Sequence, residues 1–210
     1  MDKVQGIRHL WFDFTDTIAA MDKTAFDDLI YSSYSEVVKK PVTEELVNEY
    51  KEQLGRHKSN SAIFTSLGMR AGYLSDKAQD RAGLFHLTDP RIPEVIALLK
   101  DLLPVSIFSN SRIDATLPTL DIQLDWFTHI LGPDAVQNPK PALDGFYKMV
   151  ELSGVPAEQI LYIGDDVEKD LVPAKQVGMQ TGLLWRESPE ADYCFKDFSH
   201  ILESFKAPYI

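Results

Sequence analysis

Residues 143–184 read LDGFYKMVELSGVPAEQILYIGDDVEKDLVPAKQVGMQTGLL, and their rhythm decides the fold. Leu143 to Ser153 carries a helical pattern that Gly154 ends, Ile160 to Ile163 is an unbroken apolar run, Val167 to Val177 is helical again and stops at Gly178, and Gln180 to Leu184 is a second apolar run. A glycine just past a helix takes the left-handed cap conformation that other residues resist. Short apolar runs between turn residues are strands buried on both faces, and strands alternating with helices build a parallel sheet covered on both sides. The same pattern extends outward. Val95, Leu98, Leu99 and Leu102 form a helical stripe, Pro104 precedes the strand VSIFSN, and Thr128 to Leu131 predicts another strand. Near the N-terminus, Ile7 to Phe14 is apolar and aromatic and runs into Thr15, Asp16 and Thr17. The expectation is an α/β, doubly wound parallel sheet, whose ligands bind beyond the carboxyl ends of the strands.

Between the first strand and this alternation lies a stretch without strand character. From Asp22 to Lys40, apolar side chains recur at Phe26, Leu29, Ile30, Tyr34, Val37 and Val38, steps of three and four that mark an amphipathic helix ending at Pro41. A second helix is expected from near Thr43, a third from Asn60 to Leu67 and a fourth from Ser75 to Leu87. The expected organisation is a core of residues 1–19 and 89–210, interrupted by an inserted helical domain at 20–88. Gly55 to Asn60, the most basic stretch of the insert, is expected to be an exposed connection between helices.

Composition narrows the partners. With 21 basic and 32 acidic residues in 210, the net charge of −11 argues against a nucleic-acid duplex or an anionic membrane surface. No apolar stretch approaches the roughly 18 residues that span a bilayer, and MDKVQGIRHLWFDF has no signal-peptide layout. The single cysteine, Cys194, rules out an internal disulfide and suits a reducing compartment; it is expected to be a small buried hydrophobe, and Trp11, Trp126 and Phe127 to be packing residues. A cytoplasmic protein, a monomer or a small homo-oligomer, is the expectation.

The chemistry-bearing residues fall at the predicted strand ends. The first strand ends in Asp13, VSIF in Ser109 and Asn110, and ILYIG in Asp165 and Asp166 with Asp170 about one helical turn on; Lys140 sits in the turn NPKP ahead of a helix. Singly, each is an ordinary cap, turn former or surface lysine. Converging at one sheet edge, carboxylates, an ammonium and a hydroxyl suit a hard divalent cation and a phosphoryl group.

WFDFTDTI (11–18), IFSNS (107–111), NPKP (138–141) and YIGDDVEKD (162–170), in that order, resemble the four motifs of the haloacid dehalogenase superfamily. The resemblance implies a Rossmann-like core with a helical cap, acting on a small phosphorylated substrate with Mg²⁺. It makes Asp13 the nucleophile, Ser109 and Asn110 phosphate-binding residues, Lys140 the charge neutraliser, and Asp13, Asp165, Asp170 and the Thr15 carbonyl the metal ligands. The chain departs from the family's phosphatase pattern at Thr15, where those enzymes carry a second Asp that protonates the leaving group. A threonine hydroxyl does not titrate near neutral pH. Asp16 replaces the glycine that usually follows, either occupying the turn or offering a displaced carboxylate. Three activities stay open: a phosphatase slowed by Thr15, a dehalogenase- or phosphonatase-like hydrolase, and a catalytically silent scaffold that binds a ligand or partner. The paired acids at Asp165 and Asp170 favour the first over a dehalogenase.

Overall fold

A computed structural model describes residues 3–70, 72–79 and 83–206. The chain divides into two compact units, Met1–Ala20 with Leu87–Ile210, and Met21–His86.

The first unit is built on a parallel sheet. β1 (His9–Phe12) lies at its centre, and β2 (Ala19–Met21) and β3 (Phe85–Leu87) form a separate two-stranded sheet where the chain leaves and re-enters this unit. β4 (Val105–Phe108) pairs with β1 on one side, and β5 (Ile130–Leu131) extends that edge. β6 (Ile160–Gly164) pairs with β1 on the other side, followed by β7 (Gln180–Leu184) and β8 (Tyr193–Phe195). The order is β5-β4-β1-β6-β7-β8 and every pairing in this sheet is parallel. In register, Leu10 faces Val105 and Leu161, and Phe12 faces Ile107 and Ile163. The chain thus moves outward from β1 in both directions, and the carboxyl end of β1 falls where the winding reverses, the place where such sheets open a crevice. Trp11, Phe108, Leu131, Phe146, Met149, Ile160 and Tyr162 pack into one buried cluster. Each large side chain so removed from water stabilises the fold by about 1.5–3 kcal/mol.

The second unit is helical: α1 (Lys23–Val38), α2 (Glu44–His57), α3 (Asn60–Ser66) and α4 (Tyr73–Gln79). Asp22, Thr43 and Ser59 each accept a hydrogen bond from the backbone N–H three residues on, so each of the first three helices starts at a side-chain cap. Its core is Ile30, Tyr34, Leu46, Tyr50, Ile63 and Phe64, with Tyr34 set edge-on to Tyr50 at 5.0 Å between ring centroids.

Several local expectations need correction. The fourth helix ends at Gln79; residues 80–82 lie outside the described residues, and Phe85–Leu87 is strand, because its apolar residues pair with β2 instead of continuing a helical stripe. Gly55, Arg56 and His57 are the last turn of α2, and only Lys58 and Ser59 separate it from α3. The helix expected from Val167 opens as a wide π-type turn, Val167–Leu171, before α7 (Val172–Gln176). Cys194 is half-buried in the edge strand β8, followed by α8 (Phe198–Phe205), neither of which the sequence pattern revealed. The helices expected before β4 and before β6 are α5 (Ile92–Leu99) and α6 (Asp144–Ser153). Trp11 and Phe127 are buried and Trp126 is partly so. Among the described residues no helix is long and apolar enough to cross a membrane.

Candidate active site

Parallel strands bring the ends of β1, β4 and β6 to one edge of the sheet, and a cavity of about 180 Å³ opens there. Asp13, one residue past β1, is anchored by its own N–H donating to the Ile163 carbonyl at 2.9 Å, so β1 and β6 jointly set its position. The Lys140 ammonium donates to Asp13 Oδ1 at 2.5 Å, to Asp170 Oδ1 at 2.8 Å and to the Tyr162 hydroxyl at 2.8 Å. All three of its N–H groups therefore have partners. The Tyr162 hydroxyl donates in turn to Asp170 Oδ1 at 3.0 Å. Lys140 is 8% exposed and Asp170 1%, so this is a buried charge cluster whose members neutralise one another.

Two devices hold the cluster. Asn110, beyond β4, accepts from the Lys140 backbone N–H at 2.8 Å and donates to its carbonyl at 3.2 Å, fixing the main chain from which the lysine reaches. Gly164 closes β6, and a Cβ there would stand 2.5 Å from Asp170 Oδ2. Only glycine lets Asp170 approach the strand that closely.

Burial lifts the Asp13 carboxyl to about 7; the Lys140 ammonium pulls it down and the Asp170 charge adds to the lift. Burial also works against the Lys140 charge, but Asp13 and Asp170 outweigh it and raise its affinity for the proton. Asp165 is raised by burial first, then by Asp170 and Asp16. The Thr17 hydroxyl lies 3.3 Å from both Asp13 Oδ2 and Asp165 Oδ1. Carboxylate oxygens of Asp13, Asp165 and Asp170 all lie within 4.8 Å of one another. An all-oxygen donor set of mutually repelling acids matches a hard divalent ion, which offsets the repulsion that adds to the raised proton affinity of Asp13 and Asp165.

Asp13, Lys140, Asp165 and Asp170 thus meet as their positions in the sequence suggested, and Thr15 and Asp16 line the same cavity. Asp16 holds the left-handed conformation (φ 62°) that glycine takes in such turns and that Asp tolerates better than most residues. Its N–H donates to the Ala19 carbonyl at 2.9 Å. Ser109 is buried and its hydroxyl oxygen accepts from the Ser111 N–H at 3.0 Å. The Asn110 side chain, expected on phosphate, is committed to Lys140. Sequence reasoning missed Tyr162, which reads as one more apolar residue of a buried strand, and gave Thr17 no role. A larger groove of about 710 Å³ lies along β8 and α8, but Arg91 there is already paired with Asp197 at 3.0 Å.

A buried lysine thus stands between the carboxylates of Asp13 and Asp170 at the reversal point of a doubly wound sheet. Residues 7–178 match the family model described as haloacid dehalogenase-like hydrolase, and the chain belongs to that family. It is 26% identical over 149 residues to phosphoglycolate phosphatase from Shigella boydii, an alignment covering 65% of this chain and 57% of that protein. The chain therefore matches a little over half the length of such relatives. In fold it resembles a HAD phosphatase from Thermococcus onnurineus (TM-score 0.73, 18% identity, 94% of this chain and 97% of the other). It also resembles the HAD-hydrolase YfnB from Bacillus subtilis, solved bound to magnesium (TM-score 0.63, 20% identity, 96% and 99%).

Proposed function

We propose that the protein is a divalent-cation-dependent phosphatase of small phosphorylated metabolites, working through an aspartyl-phosphate on Asp13. The observation that carries this reading is the Asp13–Lys140 contact of 2.5 Å with Asp165 and Asp170 alongside. Asp13 attacks phosphorus, a bond forms between its carboxylate oxygen and the phosphoryl group, and the bond to the leaving oxygen breaks with its electron pair. Water then attacks the same phosphorus, releases inorganic phosphate and returns Asp13 as carboxylate. Lys140 holds Asp13 in its attacking orientation and keeps positive charge beside the incoming anion. Asp13, Asp165, Asp170 and the Thr15 carbonyl would hold Mg²⁺, which supplies further charge neutralisation at the phosphoryl oxygens. The Ser109 hydroxyl hydrogen and main-chain N–H groups near Asn110 are the remaining donors for that group.

Thr15 brings no titratable proton to the leaving oxygen. A positioned acid is worth about 10²–10⁴-fold, so substrates with good leaving groups are turned over best. The helical unit, residues 21–86, serves as the substrate-selecting cap. The acidic surface and single half-buried cysteine suit a cytoplasmic enzyme of diffusible metabolites, a monomer or small homo-oligomer. Phosphoglycolate is the first metabolite to try, given the relatives' activity.

The test is turnover of an aryl phosphate and an acyl phosphate with Mg²⁺, comparing the parent with Asp13→Asn. Activity that requires both Mg²⁺ and Asp13 is the expected result. Equal rates in parent and variant discard Asp13 as nucleophile, and no activity from folded parent leaves the silent scaffold as the better reading. Thr15→Asp is expected to raise turnover of alkyl phosphates by about 10²-fold or more, the low end of the range of about 10²–10⁴ for an added acid.

A further inference from the structure

We infer that Trp185 and Arg186, at the carboxyl end of β7, are positioning residues that strap together the two loops bearing the site's carboxylates. The inference deepens the proposed function, since it takes Asp13 and Asp165 as the metal-binding pair.

The backbone supplies the first observation. Trp185 has φ 73°, in the left-handed region where a bulky side chain is a genuine outlier. Its own N–H still donates to the Phe195 carbonyl at 2.9 Å, so the ladder to β8 continues while the chain reverses hand. Such conformations persist only where the surroundings over-determine them, and they gather at functional sites.

What the reversal achieves is visible in the next two bonds. The Trp185 indole N–H donates to the Asp16 carbonyl at 3.0 Å, and the Arg186 guanidinium donates to the Asp165 carbonyl at 2.8 Å. Asp16 belongs to the loop after β1 that carries Asp13 and Thr17; Asp165 begins the loop after β6. Two adjacent residues of one strand end therefore grip one carbonyl from each loop. The Asp13 and Asp165 side chains meet over the shared Thr17 hydroxyl. The indole leans on Phe198 of α8 at 6.2 Å between centroids, which fixes its direction. Trp185 is 37% exposed and Arg186 is exposed, so core packing does not account for holding them this way. A Mg²⁺ site demands near-ideal ligand geometry, and loops free to drift apart would not meet it.

The experiment uses Trp185→Phe, Arg186→Gln and the double variant of the full chain. Phenylalanine keeps an aromatic ring toward Phe198 and removes the indole N–H donor together with the rest of the pyrrole ring; the even spread of acceleration that lost packing would give is the outcome that separates the two. Amide hydrogen exchange is measured on the metal-free proteins, and Mn²⁺ binding by titration calorimetry. Losing one hydrogen bond should raise exchange about 3- to 10-fold, in residues 13–18 for Trp185→Phe and in 164–170 for Arg186→Gln. Each variant should weaken Mn²⁺ binding by a similar factor, the double variant by more than either. Exchange in β4 and α6 should stay at the parental rate. Unchanged exchange in both loops overturns the strap whatever the metal data, as does acceleration spread evenly over the chain, which would mark a packing role. A parent that binds no Mn²⁺ while its variants show the loop-specific acceleration leaves the strap standing and removes the metal reading.

Discussion

His9 and Asp13 stand four positions apart along β1 and its extension, on the same side of the sheet, and both are buried, yet their surroundings treat charge in opposite ways. His9 lies in an aromatic stack, its ring parallel to Trp11 at 5.6 Å and to His129 at 6.1 Å, with Nε2 bonded to the Ser106 hydroxyl at 2.8 Å. Burial first, and then the neighbouring His129, lower its proton affinity to about 4. Asp13 lies in a charged cluster, where it and Asp170 share the Lys140 ammonium and the Tyr162 hydroxyl accepts from Lys140 and donates to Asp170. Burial works against charge at both positions, and only at Asp13 does a packed counter-charge, the Lys140 ammonium, offset part of that cost.

The largest expected effect breaks the second cluster. Lys140→Met leaves Asp13 and Asp170 buried without a counter-ion, a loss of about 3–5 kcal/mol for a broken buried pair. The melting temperature should fall steeply at pH 7 and recover partly at pH 5, where the Asp13 carboxyl, lifted to about 7 by burial even beside Lys140, takes up its proton; equal loss at both pH values would mean that charge is not what Lys140 contributes. Next in size is the aromatic stack. The folded-state affinity of His9 lies below its unfolded value of 6.5, so its contribution is fully present above pH 6.5 and is lost as pH falls toward about 4. That shift corresponds to about 3 kcal/mol. His9→Phe should flatten the acid limb of a stability–pH profile between pH 6.5 and 4, and a limb as steep as the parent's would place the acid sensitivity elsewhere. The smallest change sharpens the comparison without destroying either side. Tyr162→Phe deletes one hydroxyl from the charged cluster, an effect of about 1 kcal/mol. It should lower kcat roughly fivefold with KM held; a changed KM or an unchanged kcat would reduce Tyr162 to a satisfied core residue.

Strand–helix alternation in residues 143–184 was enough for the parallel sheet, since fully buried strands must be continuously apolar and their crossovers must be helices. Asp13 and Asp165 were legible for a related reason: polar residues directly after apolar strands have nowhere to go but the strand ends. Lys140 and Asp170, in a turn before a helix and one helical turn past a strand, were legible through the motif order that the chain shares with the haloacid dehalogenase superfamily. The short edge strand β8 and the helix α8 were not, because three edge residues carry too little apolar periodicity to register. Nor was β3, whose identity depends on pairing with β2 across some 65 residues of chain. Ser109 and Asn110 show the limit for single side chains. Position brought both to the site, but local hydrogen bonding turned the Asn110 amide onto Lys140 and the Ser109 oxygen onto Ser111.

By itself, then, the sequence determined the class of fold, the helical insertion and the residues standing at the strand ends, all of which follow from local pattern and chain order. The tertiary structure alone decided that Tyr162 completes the coordination of the Lys140 ammonium, that Gly164 makes room for Asp170, and that Trp185 and Arg186 reach the loops after β1 and β6. These depend on distances between residues far apart in the chain, which β-sheet order and register fix and which no local pattern encodes.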